Sequence, residues 1–353
     1  MLASRGPKKQ PTSLPHGMLV LPLFLILAGA ALEARGQSPW EREQRAVAEV
    51  ERLGGVFGPD NMILMGHYIQ IILGPRWHGG IAGLAAIEEL EPVREVTLDD
   101  PQFDDDWIAR LASLRGLRAI HLRATSVSDK GIAELARFAH LRVLELDSQR
   151  LSDECLSRIR ALELTHLTIG PKCHVTDTGL AHLQAMRTLL YLQASPAAVT
   201  GPGLANLGAT EKLRALVLAG SSVDDQGLAC LPVLPKLERL DLARTKVAGP
   251  GLSHLARFGR LRWLILDDTS IGDESLGHLL KLRDLESISL NGTQITDGGL
   301  AMLAQMSRLA AVSLERTATT RDGLKRLAGL RHLRTVRDAK GEVLSFRAEP
   351  AKR

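Results

Sequence analysis

The residues of this 353-residue sequence whose type and spacing most readily suggest chemistry are aspartates. Asp104-Asp105-Asp106 and Asp224-Asp225 place carboxylates side by side, as a cation site or an acid–base pair requires. Single aspartates, however, recur at intervals of 24 residues or a multiple of 24, each before an apolar segment with helical spacing: Asp129, Asp153, Asp177, Asp225, Asp273 and Asp297. Such a carboxylate accepts the unpaired N–H groups of a helix start. We therefore predict that these aspartates cap helices and hold no metal.

The three cysteines and eleven histidines form no constellation that would bind a metal or activate a nucleophile. Cys155, Cys173 and Cys230 lack metal-ligand spacing and the terminal clusters of disulfide-capped repeats, so we interpret them as packing residues. His121 and His166 fall on one face of the expected sheet but two units apart, roughly 10 Å. We predict no catalytic residue, no metal and no cofactor, and hence a protein that is not an enzyme.

The elements that carry these residues belong to an internal repeat. The segment Leu261-Arg-Trp-Leu264-Ile-Leu266 recurs at 237–242 and 285–290 in the pattern Leu-x-x-Leu-x-Leu. Eleven such frames begin at positions 93, 117, 141, 164, 187, 213, 237, 261, 285, 309 and 333, so the mean period is 24 residues. Seven of the ten intervals equal 24, and the departures of 23, 23 and 26 lie between 141 and 213. This regularity predicts a stack of similar units rather than one large globular core.

The second half of each unit repeats as well, because a Thr-x-Val/Ile segment and a helix start follow each strand, as in Thr293-Gln-Ile295-Thr-Asp297-Gly-Gly299-Leu300. Together these motifs resemble the leucine-rich-repeat superfamily, and in particular the bacterial units with a TDxGL helix start that are related to F-box and ribonuclease-inhibitor-like repeats. The resemblance covers 93–338. It implies an α/β solenoid, or horseshoe, of about 11 repeats of 24 residues, with a parallel β-sheet on the concave face and helices on the convex face.

The ends of such a stack need caps, since a terminal repeat otherwise exposes its core. We interpret residues 37–92 as a capping helix over 41–55 followed by a degenerate first repeat, with a strand at 68–73 and a helix at 81–90. Residues 93–338 form the repeats, and 339–353 form a C-terminal cap and tail. The sequence thus predicts one domain behind its N-terminal segment.

Residues 1–36 have the features of an export or anchor segment. Three basic residues precede an uncharged run from Met18 to Leu32, and Ala34 and Gly36 offer the small side chains of a cleavage site. The run is shorter than the roughly 20 residues of a spanning helix. A cleaved signal peptide, an uncleaved signal anchor, and a buried helix or a true start at Met18 remain open. We expect a secreted, periplasmic or cell-envelope protein, or one anchored to a membrane by residues 18–32.

The net charge of the body is small. The formal charge of the chain is +4, and residues 1–36 contribute +3 of it through four basic residues and one acidic residue, which leaves +1. Phosphate binding needs a concentrated positive face, so we expect no nucleic-acid partner. Membrane contact is expected only through the N-terminal segment if it is uncleaved, and we expect a monomer that binds an unknown protein partner.

The outward strand positions are free to vary in such a fold, and between 189 and 265 they gather apolar residues with a charged pair. An aromatic-rich patch with an arginine resembles the centre of an interface, whereas shielding by neighbouring side chains is the alternative explanation. The predicted partner-binding residues are Leu189, Tyr191, Val217, Arg239, Asp241, Trp263 and Ile265.

These features predict an exported protein-interaction module that binds its partner on the concave face. An intracellular F-box-like adaptor or a regulatory subunit is the alternative. An enzyme with a site in the irregular repeat loops is the third hypothesis, although no nucleophile–base pair, metal set or cofactor loop supports it.

Overall fold

The computed structural model describes residues 39–58, 69–90 and 92–346. The predicted leader, residues 1–36, the first residue of the predicted strand at 68, and the tail from 347 lie outside these described residues. The chain divides into two compact units, residues 1–44 and 45–353. The second unit contains all of the sheet.

The sheet has fourteen strands in the described part of the chain, and their spatial order is their sequence order. The strands are β1 (Val56–Phe57), β2 (Ile69–Leu73), β3 (Val93–Asp99), β4 (Ala119–Arg123), β5 (Val143–Asp147), β6 (His166–Ile169), β7 (Tyr191–Ala194), β8 (Ala215–Val217), β9 (Arg239–Asp241), β10 (Trp263–Ile265), β11 (Ser287–Ser289), β12 (Ala311–Ser313), β13 (Thr335–Arg337) and β14 (Val343–Ser345). Strands β2 to β13 are parallel, whereas β1 and β14 pair antiparallel with β2 and β13 at the two ends.

Each crossover between parallel strands contains a short helix. The α-helices are α1 (Pro39–Arg52), α2 (Leu84–Glu88), α3 (Asp105–Leu111), α4 (Asp129–Glu134), α5 (Asp153–Ile159), α6 (Asp225–Cys230), α7 (Asp297–Leu303) and α8 (Arg321–Leu324). The 3-10 helices are Ile81–Gly83, Leu135–Arg137, Gly179–Ala185, Pro202–Ala209, Pro250–Arg257, Asp273–Lys281 and Lys325–Gly329. No helix of the described residues is long and apolar enough to span a membrane.

The repeated leucines explain this arrangement. In β10, Leu264 is buried and lies in register with Leu240 of β9 and Ile288 of β11, so the layers stack in a continuous core. Helical residues such as Leu276 and Leu279 close the other side of each layer. One unit cannot bury its apolar face alone, and neighbouring units do so together. The predicted α/β solenoid with a parallel sheet is confirmed.

The frame predicted at 187 is wrong by two residues. Tyr191 pairs with His166 and Leu192 with Leu167, so the buried frame is Leu189-Leu192-Ala194. With this frame the only departures from a 24-residue interval are the 23 and 25 residues that flank the frame at 164. Alanine in the last leucine position concealed the true register.

The turns after β6 and β7 differ from a turn that six other units share. In six other units the residue two positions after the last leucine has a φ between 50° and 77°: Ala124, Gly220, Arg244, Asp268, Gly292 and Arg316. The corresponding residues after β6 and β7 are Pro171 and Pro196. A proline ring fixes φ near −65°, so these two units must leave their strands through another turn.

The repeated aspartates bind the next repeat rather than their own helix, which corrects the predicted role. The side chains that cap the helices belong to the preceding residues, such as Ser128, Ser152 and Thr296. Among the aspartates predicted to be caps, Asp104 and Asp224 occupy this preceding position and do cap α3 and α6. The carboxylate of Asp129 accepts hydrogen bonds from the backbone N–H (3.1 Å) and the hydroxyl (2.6 Å) of Ser152, one repeat later. The same pair of bonds recurs from Asp105, Asp153, Asp177, Asp273 and Asp297.

The two ends of the sheet differ from its interior. Helix α1 spans Pro39–Arg52, so it begins two residues earlier than the predicted 41–55 and ends three residues earlier. Gly54 follows the helix with a φ of 89°. At the other end, Leu344 and Phe346 are partly buried against the core. Strand β14 therefore covers the side of the last parallel strand.

Candidate functional site

The face of the sheet that points away from the helices carries two rows of side chains, and we call it the open face. The first row is Glu95, Ala119, Val143, His166, Tyr191, Ala215, Arg239, Trp263, Ser287, Ala311 and Thr335. The second row is Thr97, His121, Glu145, Thr168, Gln193, Val217, Asp241, Ile265, Ser289, Ser313 and Arg337. Adjacent members of a row lie on neighbouring strands, about 4.8 Å apart.

The N-terminal part of the open face is a network of ion pairs centred on His121. Its Nδ1 lies 2.8 Å from Glu145 Oε2 and its Nε2 lies 3.1 Å from Glu95 Oε1. Arg123 donates two further hydrogen bonds to Glu145, and Gln70 donates one to Glu95. Both imidazole nitrogens therefore face carboxylates, which requires a doubly protonated ring if both contacts are hydrogen bonds.

The electrostatics agree with a charged His121. Burial by itself would lower the pKa of His121, but the hydrogen bonds to Glu145 and Glu95 outweigh it and raise the pKa to about 9. Burial likewise acts to raise the pKa of Glu145, and the bonds from His121 and Arg123 overcome it and lower the pKa to about 2. Two carboxylates thus balance an imidazolium and a guanidinium. These groups satisfy one another, so the network is suited to holding strands β3 to β5 together rather than to proton transfer.

The middle of the open face contains one aromatic stack. The rings of His166 and Tyr191 lie 5.8 Å apart at 23° to each other, and the Tyr191 hydroxyl donates to Gln193 Oε1. Burial raises the pKa of the Tyr191 hydroxyl above its ordinary value. Val217 is 8% exposed, so its neighbours already shield it from solvent.

A single tryptophan dominates the next part of the face. Trp263 is 38% exposed, and the Arg262 guanidinium lies 5.1 Å from the centroid of its ring. Arg262 is itself held by two hydrogen bonds to Glu286. A cation over an indole face is attracted by the negative charge of the ring face. This contact therefore helps to hold the indole at one orientation above the sheet.

Beside Trp263 lie Ile265 and the charged pair of Arg239 and Asp241, whose closest atoms, Nη2 and Oδ2, are 3.9 Å apart. Burial raises the pKa of the Asp241 carboxyl.

Small side chains follow the tryptophan and leave a shallow groove of about 470 Å³. Trp263 and Arg239 form one wall, and Thr335, Arg337 and Val343 form the other. Between them the floor consists of Ser287, Ser289, Ala311 and Ser313. The Ser289 hydroxyl donates to Asp267 and the Ser313 hydroxyl to Asn291, so the floor is fixed by hydrogen bonds. We call this region, from Arg239 to Val343, the tryptophan groove.

A family model described as "Leucine Rich repeat" matches residues 281–304, which contain β11 and the whole of α7. The same strand, turn and helix recur along the sheet in the register of its paired strands. The chain has the leucine-rich-repeat fold. Its sequence matches no protein of curated function.

Among solved leucine-rich-repeat structures, this chain is similar to the internalin inlF of Listeria monocytogenes, with 16% identity, 83% of this chain and 94% of that chain covered, and a TM-score of 0.49. It is also similar to TLR13 in a complex with ssRNA13, with 15% identity, 70% and 39% covered, and a TM-score of 0.51. This chain therefore spans about two fifths of that one. The internalin C2 of Listeria monocytogenes gives 19% identity, 65% and 83% covered, and a TM-score of 0.37. These similarities concern the fold.

The predicted binding residues of this leucine-rich-repeat chain fall into three groups. Leu189 is fully buried in the core, so its placement on the outward face is wrong, because the true frame of this unit begins at 189 and not at 187. Tyr191 and Val217 lie on the open face, Tyr191 two strands before Arg239 and Val217 one strand before Asp241. Arg239, Asp241, Trp263 and Ile265 lie together on β9 and β10.

Sequence reasoning missed the floor of the tryptophan groove and the His121 network. The floor residues occupy outward positions of their frames, but serine and alanine carry no signal of their own. Their importance comes from standing next to an exposed tryptophan. The network was detectable, because Glu95, His121 and Glu145 occupy outward positions of three consecutive frames.

No group of three or more histidine, cysteine, aspartate or glutamate side chains in the described ranges is placed to hold a metal ion. Cys155 and Cys173 are buried free thiols, and burial raises the pKa of both, that of Cys173 to about 11. The Cys173 thiol donates to the carbonyl of Leu146. Three other repeats have a threonine at the equivalent position, and its hydroxyl donates to the carbonyl of the last strand leucine: Thr245, Thr269 and Thr293.

Proposed function

We propose that this chain is an exported protein-interaction module and that its partner binds in the tryptophan groove of the open face. The observation that carries this proposal is Trp263, which is 38% exposed at the edge of a floor made of serine and alanine. This position lies at the C-terminal end of the patch predicted from sequence and extends it toward Arg337.

The chemistry of the groove favours a peptide segment over a small polar ligand. Covering an exposed indole stabilises a complex by about 25 cal/mol per Å² of apolar surface removed from water. Tryptophan and arginine are the residues that most often dominate protein interfaces. Because the floor side chains are small, a partner side chain has room to pack against Trp263 and Ile265.

The polar groups of the groove would then orient the partner. The Ser289 and Ser313 hydroxyls donate their protons within the protein. The Ser289 oxygen also accepts from the Asn291 side chain, and a hydroxyl oxygen has two lone pairs, so each oxygen can still accept a hydrogen bond from a partner. Arg239 and Arg337 are exposed on opposite walls, although each has a carboxylate nearby, Asp241 and Glu315. We infer a partner segment with an apolar anchor flanked by hydrogen-bond donors and an acidic side chain.

Export rests on the sequence of residues 1–36, which resembles a secretory leader. Amino-terminal sequencing of the protein isolated from its own cells tests this part of the proposal. A start near residue 37 supports cleavage and export. An intact N-terminus on a protein in the cytosol contradicts it and favours the adaptor alternative.

The binding site is tested with a photo-crosslinking side chain at Ser313 on the groove floor, and at Gln305 as a control in the exposed turn that follows α7. Crosslinking is carried out in intact cells, and the captured protein is identified and purified. We expect a product specific to position 313. Equal products at 313 and 305 would contradict the groove as the site.

The purified partner is then titrated against a Trp263→Ala variant and an Ile81→Ala variant. Ile81 is 37% exposed, so the control removes an apolar side chain of matched exposure from outside the groove. We expect Trp263→Ala to raise Kd about 30-fold, since a dominant interface residue is worth about 2 kcal/mol. An unchanged Kd for Trp263→Ala would overturn the proposed site.

A further inference from the structure

The turns between helices and strands form two opposite edges of the sheet. Because the strands are parallel, all turns that lead into them lie along one side, which we call the entry edge. It comprises 112–118, 136–142, 159–165, 184–190, 208–214, 232–238, 256–262, 280–286, 304–310 and 328–334. The turns that leave the strands form the exit edge: 99–106, 123–130, 147–154, 170–177, 195–202, 219–226, 243–250, 267–274, 291–298 and 315–322.

The two edges carry opposite charges. The entry edge contains 17 lysine and arginine residues and five aspartate and glutamate residues, a formal charge of +12. The exit edge contains eight basic and 19 acidic residues, a formal charge of −11. The small net charge of the body therefore conceals a strong separation of charge across the sheet. The expectation of no nucleic-acid partner assumed that the body has no concentrated positive face, and the entry edge is such a face.

The fold explains the acidic edge but not the basic one. Aspartates such as Asp129 and Asp153 bind the next repeat, so the exit edge needs its carboxylates. On the entry edge only five cations have an acidic partner within 4.0 Å: Arg137, Arg142, Arg214, Arg262 and Arg308. Within the described part of the chain the other 12 have none, and 15 of the 17 are exposed. Their charge is thus available to a partner.

The entry edge also exposes aliphatic side chains among these cations. Val233 is 62% exposed and Leu280 is 36% exposed. Lys236 and Lys281 are exposed in the same two turns. None of the exposed large hydrophobic residues of the described chain lies on the exit edge. This combination of exposed cations and aliphatic side chains fits a partner that is anionic and also offers an apolar phase.

We propose that the entry edge docks on the surface of an anionic phospholipid bilayer, with Val233 and Leu280 entering the headgroup region. Anionic headgroups attract each nearby lysine or arginine, and the acyl boundary accepts aliphatic side chains. Nucleic acid would satisfy the cations but leaves valine and leucine exposed. The exit edge of a second copy would satisfy the cations too, yet it offers no exposed large apolar residue.

The geometry permits many simultaneous contacts. Ten turns spaced by about 4.8 Å form an edge roughly 43 Å long, which spans several lipid headgroups. The negative exit edge would be repelled by the same surface, so the charge separation itself selects the orientation. The docking surface is separate from the tryptophan groove. It does not depend on the proposed partner, and it differs from attachment through residues 18–32.

The test uses the full chain with an environment-sensitive fluorophore on a cysteine at Val233, and in a second preparation at Ser270 on the exit edge. Both carry Cys230→Ser, so that the remaining cysteines are the two buried ones. The probe reports contact at its own position even where the leader tethers the chain. Vesicles of phosphatidylcholine, with and without about 30% phosphatidylglycerol, are titrated in.

We expect the probe at 233, and not the probe at 270, to report an apolar environment with phosphatidylglycerol vesicles only. Raising the salt from about 0.1 M to about 1 M should abolish the signal, because the Debye length falls from about 10 Å to about 3 Å. A variant with four unpaired entry-edge cations changed to glutamine should need at least about tenfold more lipid: Lys236, Arg260, Lys281 and Arg283. The matched control makes the same four-charge change on the exit edge: Lys130, Lys172, Arg244 and Lys246.

Several results would overturn the proposal. One is a silent probe at 233, and another is a signal of equal size at 270 or with phosphatidylcholine alone. A response of the entry-edge variant equal to that of the control variant would also contradict it. If a short DNA duplex changes the probe at 233 and phosphatidylglycerol does not, the partner is nucleic acid. If the vesicle-free chain self-associates at low salt and the entry-edge variant does not, the partner is a second copy.

Discussion

The carboxylate of Asp153 accepts two hydrogen bonds from Thr176, which lies one repeat later: one from the backbone N–H at 2.7 Å and one from the hydroxyl at 2.8 Å. The Thr176 oxygen in turn accepts from the backbone N–H of Thr178. Gly179 fits against the same carboxylate, since a Cβ there would lie 2.3 Å from Asp153 Oδ1. The Thr-Asp-x-Gly motif therefore encodes a contact between repeats as well as a helix start.

Replacing Asp153 with alanine should lower the free energy of unfolding by about 2 kcal/mol, because two hydrogen bonds to a charged acceptor are lost. Urea unfolding measures the change, and faster hydrogen exchange at the Thr176 amide locates it. Glu154→Ala is the control, because Glu154 makes only an exposed ion pair with Arg158 and should cost at most about 0.5 kcal/mol. Equal effects of the two substitutions would show that the hydrogen bonds between Asp153 and Thr176 do not couple the repeats.

The fold was predictable because leucine spacing reports a buried position directly. In β10 the sequence Leu261-Arg-Trp-Leu264-Ile-Leu266 separates inward from outward residues without ambiguity. Leucine spacing is misleading at 187–194. Leu190 and Leu192 have the spacing of the last two leucines of a repeat, but the true last position of this repeat is occupied by Ala194. Only the hydrogen-bonded register of β6 and β7 resolves such a choice. A shift of two residues preserves which face Tyr191 occupies but buries Leu189.

The candidate site was only partly predictable, because it depends on contacts across repeats. Trp263 is identifiable as an outward aromatic residue from the frame alone. Its exposure depends on Ser287 and Ser289, which are too small to cover it, whereas Val217 is shielded although it also points outward from the sheet. The opposite charges of the two edges are likewise not visible in the overall composition. They become apparent only when the equivalent turns of successive repeats are grouped along the same edge of the sheet.

The His121 network predicts a defined dependence of stability on pH. The pKa of His121 is raised from 6.5 to about 9, so its stabilising contribution is complete below about pH 6.5 and declines as the pH rises through 9. The pKa of Glu145 is lowered from 4.5 to about 2, so its contribution is complete above about pH 4.5 and is lost as the pH falls toward 2. We therefore expect greatest stabilisation between about pH 4.5 and 6.5, on the order of 2 kcal/mol.

An NMR titration of the His121 ring checks the first part directly, and urea unfolding at several pH values checks the second. A His121→Gln variant should lose the decline in stability between pH 6.5 and 9, because it has no proton to release. His182, on a helix outside the network, serves as the control histidine through a His182→Gln variant with an unchanged pH profile. Titration of His121 near pH 6.5 would mean that the carboxylates do not hold its proton.

The three cysteines should react at different rates with a thiol reagent. Cys155 and Cys173 are buried, and burial raises the pKa of each thiol, so little thiolate forms or meets solvent at neutral pH. Cys230 is partly exposed. We expect one thiol per chain to react rapidly in the native protein and all three after denaturation, with Cys230→Ser removing the fast phase. A fast phase that survives in Cys230→Ser would show that the repeats around Cys155 open readily.

Two glycines should respond oppositely to alanine, which tests how closely successive repeats approach. Gly201 has a φ of 140°, and a Cβ there would lie 2.1 Å from the Cα of Gly227 in the next repeat. Gly201→Ala should therefore destabilise the protein by about 2–4 kcal/mol through strain and overlap. Gly277 lies in the 3-10 helix Asp273–Lys281, where a Cβ meets no atom within 4 Å. Gly277→Ala should be neutral or stabilise by up to about 1 kcal/mol, because it reduces the freedom of the unfolded chain. Chemical denaturation of both variants gives the comparison. If alanine at 201 is tolerated, the backbones at Gly201 and Gly227 lie further apart than the structure shows.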